Sequence, residues 1–313
     1  MVTAKCPLRI SLAGGSTDLQ NFIDQHSKGS VINFPINLYT YVTISHDVFG
    51  YSSQKHKYII NYTKREEVAT VNEIENDIVR ECFSYFGTKP NTCSLTSDVF
   101  SSGSGLASSS SYLIAFMTAL CKQHKLDINK QNLCELALKI ERKFNPLTGY
   151  QDPYGCGSGG LKRIDIKKPG EVTIKSLNPD IFNHFDMYLY HTGIYRSSTK
   201  LLSKVDTNKS IELLDCVEDM EVCIQEQDAQ RFIQTIKDGW AAKKESCPSI
   251  IENTKVQSID DELCKSSDVL AHRLCGAGNG GFYLIFAKKG KKFFKKNMIE
   301  VSIDHTGPVS YKL

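Results

Sequence analysis

The sequence predicts an α+β protein, and three observations carry that reading. Strand-like and helix-like segments alternate without the regular strand–helix–strand rhythm of a doubly wound sheet. Hydrophobic residues make up 41% and charged residues 23% of 313, the balance of a globular chain long enough for one large or two medium cores. No apolar run approaches the roughly 18–20 residues of a membrane helix. The 38 Lys+Arg against 35 Asp+Glu leave a formal charge of +3, so nothing demands nucleic acid or an anionic membrane as partner. Residues 1–7 lack an apolar signal region, and a cytoplasmic location is expected.

Taken in order, residues 5–12 and 30–45 are rich in β-branched and aromatic side chains and read as strands, with 58–62 a third. Over 71–86, Val71, Ile74, Ile78, Cys82 and Phe86 recur at helical spacing and predict one amphipathic helix. Residues 92–96 alternate ahead of a serine- and glycine-rich loop, 101–109. Residues 110–123 and 132–143 read as helices, the second ended by Pro146 and Gly149 before Gln151-Asp152-Pro153-Tyr154. Strands follow at 160–166 and 172–177 around a Pro169-Gly170 turn, then at 185–191. Residues 210–236 and 250–274 read as helical, and 281–287 and 298–303 as strands. The turn-rich run 178–183 divides the chain into expected domains 1–180 and 181–313. The eleven cysteines are odd in number and form no Cys-x-x-Cys pair, so they read as reduced, mostly buried small hydrophobes.

Three glycine-rich segments stand out. Arg9-Ile10-Ser11-Leu12-Ala13-Gly14-Gly15-Ser16-Thr17-Asp18 runs from a strand into a turn ending in hydroxyls and a carboxylate. It suits a polyol ligand, or it is simply a turn. Ser102-Gly103-Ser104-Gly105-Leu106-Ala107-Ser108-Ser109-Ser110 leads directly into a helix, where backbone N–H groups cradle phosphates. No Gly-Lys-Ser/Thr is present, so this is not a Walker A loop; the alternative is a capped linker. Gly276-Ala277-Gly278-Asn279-Gly280-Gly281 matches G-x-G-x-x-G but precedes a strand, which excludes a dinucleotide fingerprint. Glu141 and Asp152 complete the set, as magnesium ligand and base or as two surface acids.

In this order the segments resemble the GHMP kinase superfamily across the whole chain. Residues 103–111 resemble its phosphate-binding second motif and 276–281 its third. The closer resemblance is to bacterial D-glycero-D-manno-heptose 7-phosphate kinases. It is carried by Pro7 to Asp18, Gln151-Asp152-Pro153-Tyr154 with Gly159-Gly160, His191-Thr192-Gly193-Ile194-Tyr195-Arg196, and Gly239-Trp240-Ala241-Ala242-Lys243-Lys244. Three departures bear on nucleotide affinity: Ala107 stands for a glycine, Phe100-Ser101 for the usual proline, and Asn279 for a third-motif glycine.

The resemblance implies the GHMP kinase fold, an N-terminal domain like ribosomal protein S5 domain 2 and a ferredoxin-like C-terminal domain, with the site between them. It implies ATP and Mg²⁺, and transfer of a phosphoryl group to the anomeric hydroxyl of a heptose 7-phosphate for surface glycans. Asp152 would act as base and Arg9 as its partner. Gly103, Ser104, Gly105, Leu106, Ala107, Ser108, Ser109 and Ser110 would cradle the triphosphate, with Ser109 and Glu141 on the metal. Gly14, Gly15, Ser16, Thr17, Asp18, Gly276 and Gly278 would line the sugar site. Arg196, with Lys243 and Lys244, would neutralise the distal phosphate. Partners are then a sugar phosphate and ATP alone, with a homodimer allowed. A kinase of another sugar such as fucose, or a sugar sensor without catalysis, is the alternative.

Overall fold

The computed structural model describes residues 1–45, 57–100, 103–194, 206–290 and 297–312. Two long antiparallel strands, β1 (Val2–Ala13) and β2 (Lys28–Ser45), form the spine of the first sheet. Their register slips between Pro7 and Arg9 and again between Ser11 and Ala13. Such bulges re-aim side chains near functional sites, and here they bracket Arg9 and Ser11. The far half of β2 pairs with β5 (Thr92–Ser97), which continues to β3 (Tyr58–Asn61) and β4 (Arg65–Val68). The near half pairs with β6 (Lys162–Lys167), followed by β7 (Glu171–Ser176). Helices α2 (Asp77–Phe86), α3 (Ser108–His124) and α4 (Lys130–Glu141) cover this sheet through a core that includes Val42, Phe83 and Phe116.

The second sheet is β11-β8-β10-β9, antiparallel throughout: β8 (Phe185–His191), β9 (Val269–Leu274), β10 (Phe282–Lys288) and β11 (Met298–Glu300). One core joins Leu8, Ile10 and Phe34 of the first sheet to Leu284 and Phe286 of the second. Two helices, α6 (Glu212–Glu226) and α7 (Ala229–Ser246), supply Val217, Met220 and Phe232 to that core. A third, α8 (Thr254–Lys265), packs Ile259 and Leu263 with Tyr283 and Ile285 in a separate cluster. The final strand, β12 (Val309–Lys312), returns to the first sheet and pairs with β1.

The α+β class holds, with corrections at three helices. The single helix expected over 71–86 is a short turn, Val71–Glu73, and then α2. A Thr70–Glu73 capping box opens the first, which ends where Ile74 turns extended (ψ 121°), and the Asn76 side chain accepts from the Val79 N–H at 3.1 Å to start the second. The 210–236 helix is divided because Gln227 turns left-handed (φ 56°) and Asp228 caps α7 at the Arg231 N–H, 2.9 Å away. The 250–274 helix stops at Lys265. Residues 269–274 are a strand because β10 offers them a pairing edge, a tertiary preference that helical spacing does not record. The short helices α1 (Gln20–His26) and α5 (Gln151–Gly157) have no counterpart in the sequence reading. All cysteines but Cys216 and Cys264 are buried. Among the described residues no helix is long and apolar enough to cross a membrane.

Candidate active site

Helix α5 carries Asp152, and neighbouring polar groups hold it at both ends. The Asp18 carboxylate accepts the Gln151 N–H at 2.9 Å and the Ser16 N–H at 3.2 Å. At the other end Lys162 Nζ donates to the carbonyls of Gly155 and Gly160 at 3.2 and 3.1 Å. Burial pushes that ammonium down to about 7. Gly155 lets the helix lie on Arg9: a Cβ there would stand 3.0 Å from Arg9 Cγ. Arg9 passes beneath and gives Nε and Nη2 to Asp152 Oδ1 at 3.0 and 2.6 Å, and Nη1 to the Gly105 carbonyl at 2.8 Å. The Arg9 side chain is 4% exposed and that of Asp152 32%. The arginine is therefore fixed, and Asp152 Oδ2 carries no hydrogen bond among the described residues.

The serine-glycine loop is tied to the same strand, since the Arg9 N–H donates to the Leu106 carbonyl at 3.1 Å. Ser104 and Ser108 bond each other at 2.9 Å and shape the loop from within. The loop ends at the N-terminus of α3, whose first-turn N–H groups have no intrahelical partner. That geometry fits a triphosphate. Ala107 sits at φ 58°, where its methyl costs roughly 1–2 kcal/mol that glycine would not. The third motif backs the loop: a side chain on Gly281 would crowd the carbonyls of Gly103 and Ser104. Asn279 takes the left-handed turn (φ 56°) expected of it, and its Oδ1 accepts the Asn253 N–H at 2.8 Å.

Glu141 closes α4, is 2% exposed, and accepts the Ser110 hydroxyl at 2.5 Å. Burial lifts its carboxyl to about 7, and the Asp152 charge adds to the rise. The hydroxyls of Ser110 and Ser109 oppose it. A buried carboxyl with no basic side chain bonded to it among the described residues, beside two serines and a phosphate cradle, fits Mg²⁺.

The first motif divides. Thr17 is fully buried and bonds the carbonyls of Gly14 and Ser30, and Asp18 spends both oxygens on backbone N–H groups. These two residues, expected to meet sugar hydroxyls, are turned inward: Thr17 ties the glycine turn to β2 and Asp18 holds α5. Gly14 and Gly278, expected at the sugar, are packing positions: a Cβ would overlap the Ser30 carbonyl at one and Ile250 at the other. Gly15 and Ser16 instead meet Lys243, whose Nζ lies 2.8 Å from the Gly15 carbonyl and also bonds the Ser16 hydroxyl. Gly276 is half-buried at the end of β9. Lys244, paired with Lys243 in the sequence reading, points elsewhere: its Nζ bonds Asp260 at 3.1 Å and stands over the Trp240 ring. Arg196 lies outside the described residues.

Sequence reasoning missed Arg273, Lys162, Ser11, Asn33 and Gln151. Ser11, Asn33 and Lys162 lie opposite one another on β1, β2 and β6, all buried. Among the described residues Ser11 Oγ, both Asn33 amide atoms, Gln151 Oε1 and Arg273 Nε have no hydrogen-bond partner. The sequence carries little signal for the two cations: Lys162 opens a strand in which charged and apolar residues alternate, and Arg273 lies in a stretch that reads as helix.

Comparison with known proteins bears out the resemblance. Residues 67–160 match the family model described as the GHMP kinases N terminal domain. The D-glycero-alpha-D-manno-heptose 7-phosphate kinase of Campylobacter jejuni is 26% identical, over 93% of this chain and 91% of that protein. The L-fucokinase/L-fucose-1-P guanylyltransferase of Bacteroides fragilis is 24% identical over 92% of this chain, which spans 35% of that longer protein. The crystal structure of a D-glycero-D-manno-heptose 1-phosphate kinase from Bacteroides thetaiotaomicron superposes with a TM-score of 0.75 at 20% identity. It covers 100% of this chain and 99% of that one. The fold is that of the GHMP kinases.

Proposed function

We propose that this chain is an ATP-dependent sugar kinase that phosphorylates the anomeric hydroxyl of D-glycero-D-manno-heptose 7-phosphate, giving the 1,7-bisphosphate for nucleotide-heptose and surface glycan synthesis. The observation that carries the reading is Asp152: one oxygen is locked by Arg9 and the other is open, beside a loop fit for phosphates. The open carboxylate oxygen takes the proton of the acceptor's hydroxyl as the hydroxyl's own oxygen bonds to the γ-phosphorus and ADP leaves. Arg9, anchored to Gly105 of the loop, stabilises charge building on the transferring group. Glu141, Ser109 and Ser110 are the residues that would hold Mg²⁺, which when bound neutralises the β- and γ-phosphate oxygens. On this reading the chain divides at 180/181, with the return of β12 to β1 crossing the division.

The 26% identity to the Campylobacter kinase supports the heptose 7-phosphate acceptor. The Bacteroides fragilis relative supports fucose as a second acceptor to test. ATP turnover against phosphorylated and free heptoses, fucose and hexoses, with ³¹P NMR locating the new phosphate, decides between them. Turnover confined to fucose would remove the heptose reading, and no turnover with any sugar would leave a sensor.

A further inference from the structure

Two cations at the first glycine turn are buried without a carboxylate bonded to either. Lys243 is 6% exposed, and among the described residues its Nζ bonds only the Gly15 carbonyl and the Ser16 hydroxyl. Arg273, on β9, is 5% exposed; Nη1 meets the Leu12 carbonyl and Nε meets nothing. The acids nearby are committed. Asp152 is bound to Arg9, and Asp18 gives both oxygens to backbone N–H groups. Burial pushes Lys243 down to about 8, with the Arg273 charge adding to the fall and Asp18 partly offsetting it. Burial likewise lowers Arg273, and its neighbour Arg9 adds to that. Buried charge of one sign is costly unless something compensates it.

The lining of the corner is also incomplete. A Cβ on Gly15 would stand 3.0 Å from Ser11 Oγ and 3.9 Å from Gln151 Oε1, and neither of those atoms has a hydrogen bond. The glycine therefore leaves a polar notch beside the two cations. The notch adjoins the reacting centre, because Gln151 immediately precedes Asp152 on α5.

We propose that Arg273 joins Lys243, which the resemblance already implies at the distal phosphate, in binding the phosphate the acceptor carries before the reaction, and that the pair thereby selects a sugar phosphate over a free sugar. A phosphate monoester carries about −1.5 to −2 charges at neutral pH, which two cations match and a sugar hydroxyl does not. The nucleotide is the other source of phosphate, but its cradle is the 103–110 loop, tied to Arg9 through Gly105 and Leu106. Lys243 is tied to Gly15 and Ser16 instead. The inference rests on the sugar kinase reading and names the residues that make its acceptor specific.

The test is kcat/KM for heptose 7-phosphate and for free heptose in wild type, Arg273→Gln and Lys243→Gln, with the fold of each checked by thermal melting. Each variant should lose about 10- to 100-fold on the phosphorylated acceptor, mainly through KM, and only a few-fold on the free sugar. Equal losses on both acceptors would make the pair a structural support and overturn the proposal. A rise confined to the KM for ATP would assign the cations to the nucleotide and overturn it as well. If Arg273→Gln does not fold, Arg273→Lys and Lys243→Gln carry the same comparison. A wild type that turns over free sugars alone removes the parent reading and the subsite together. A wild type that prefers the phosphate while the variants lose both acceptors alike removes the subsite only.

Discussion

His272 and Arg273 are neighbours on β9, and because strand side chains alternate they serve two different clusters of buried charge. His272 Nε2 bonds Asp260 at 2.9 Å, where Trp240 Nε1 at 2.9 Å and Lys244 Nζ at 3.1 Å also donate. Those bonds outweigh burial and hold the Asp260 carboxyl down to about 2. Cys264 brings a third ligand-capable atom within 4.8 Å, but the Lys244 ammonium already faces that carboxylate and disfavours a metal cation. Arg273 faces the other way, toward Arg9 and Lys243, where among the described residues Arg273 Nε, Ser11 Oγ and Gln151 Oε1 are left over. One cluster is saturated and the other has capacity in hand. Saturation stabilises the fold; unused capacity is what a ligand can bind.

The sharpest way to break that contrast is Asp152→Asn. The amide keeps the shape but cannot take a proton, so turnover should fall by about 10²–10⁴-fold while ATP binding changes little. If a coupled ADP assay finds more than about a tenth of wild-type kcat, Asp152 is not the base.

Asp260→Ala should do the opposite. Removing the shared acceptor strands His272, Trp240 and Lys244, at a cost of about 3–5 kcal/mol in denaturant unfolding, with the kcat of the folded protein preserved. Because Asp260 is depressed below its ordinary value, its contribution is full above pH ~4 and is lost as pH falls through about 2. The gap between wild type and variant should therefore close in strong acid. A gap independent of pH would point to lost packing instead.

Glu141→Gln tests whether function and stability conflict within one residue. The raised carboxyl contributes stability that is full below its ordinary pKa of 4.5 and is lost as pH rises through about 7. An amide does not ionise, so the variant should be more stable than wild type by on the order of 2–3 kcal/mol near pH 8 and level with it in acid. It should also need more Mg²⁺ for half-maximal rate, as should Ser109→Ala. An unchanged magnesium dependence in both would remove the metal assignment.

The smallest effect is expected at Lys244, whose side chain is 30% exposed. Lys244→Ala should cost about 1 kcal/mol and leave the KM of every acceptor unchanged. A raised KM for the phosphorylated acceptor would move Lys244 into the site and blur the two clusters.

The sequence made the strands legible because β-branched runs at 5–12, 30–45 and 185–191 leave little alternative. It made Arg9, Asp152 and the 103–110 loop legible through motif order. It hid α5, the element that aims Asp152, because Pro153, Gly155 and Gly157 argue against a helix that Asp18 and Lys162 hold from outside. It also hid the inward roles of Thr17 and Asp18, since a hydroxyl or carboxylate after a glycine turn looks the same whether it faces a ligand or a backbone N–H. Arg273 was lost inside a stretch read as helix, and only pairing with β10 shows which way it points.

The return of β12 to β1 sets an order of events during synthesis. The outer neighbour of the start of β1, residues 309–312, is made long after β1 itself. At roughly 5–20 residues per second, that interval is on the order of 15–60 s. Throughout it β1 can pair with β2 but presents one bare edge, the kind of surface that recruits a foreign strand. Only residues 2–5 wait for that strand; Arg9, farther along β1, gives its N–H to Leu106, so the part of the chain that handles the chemistry is covered without it.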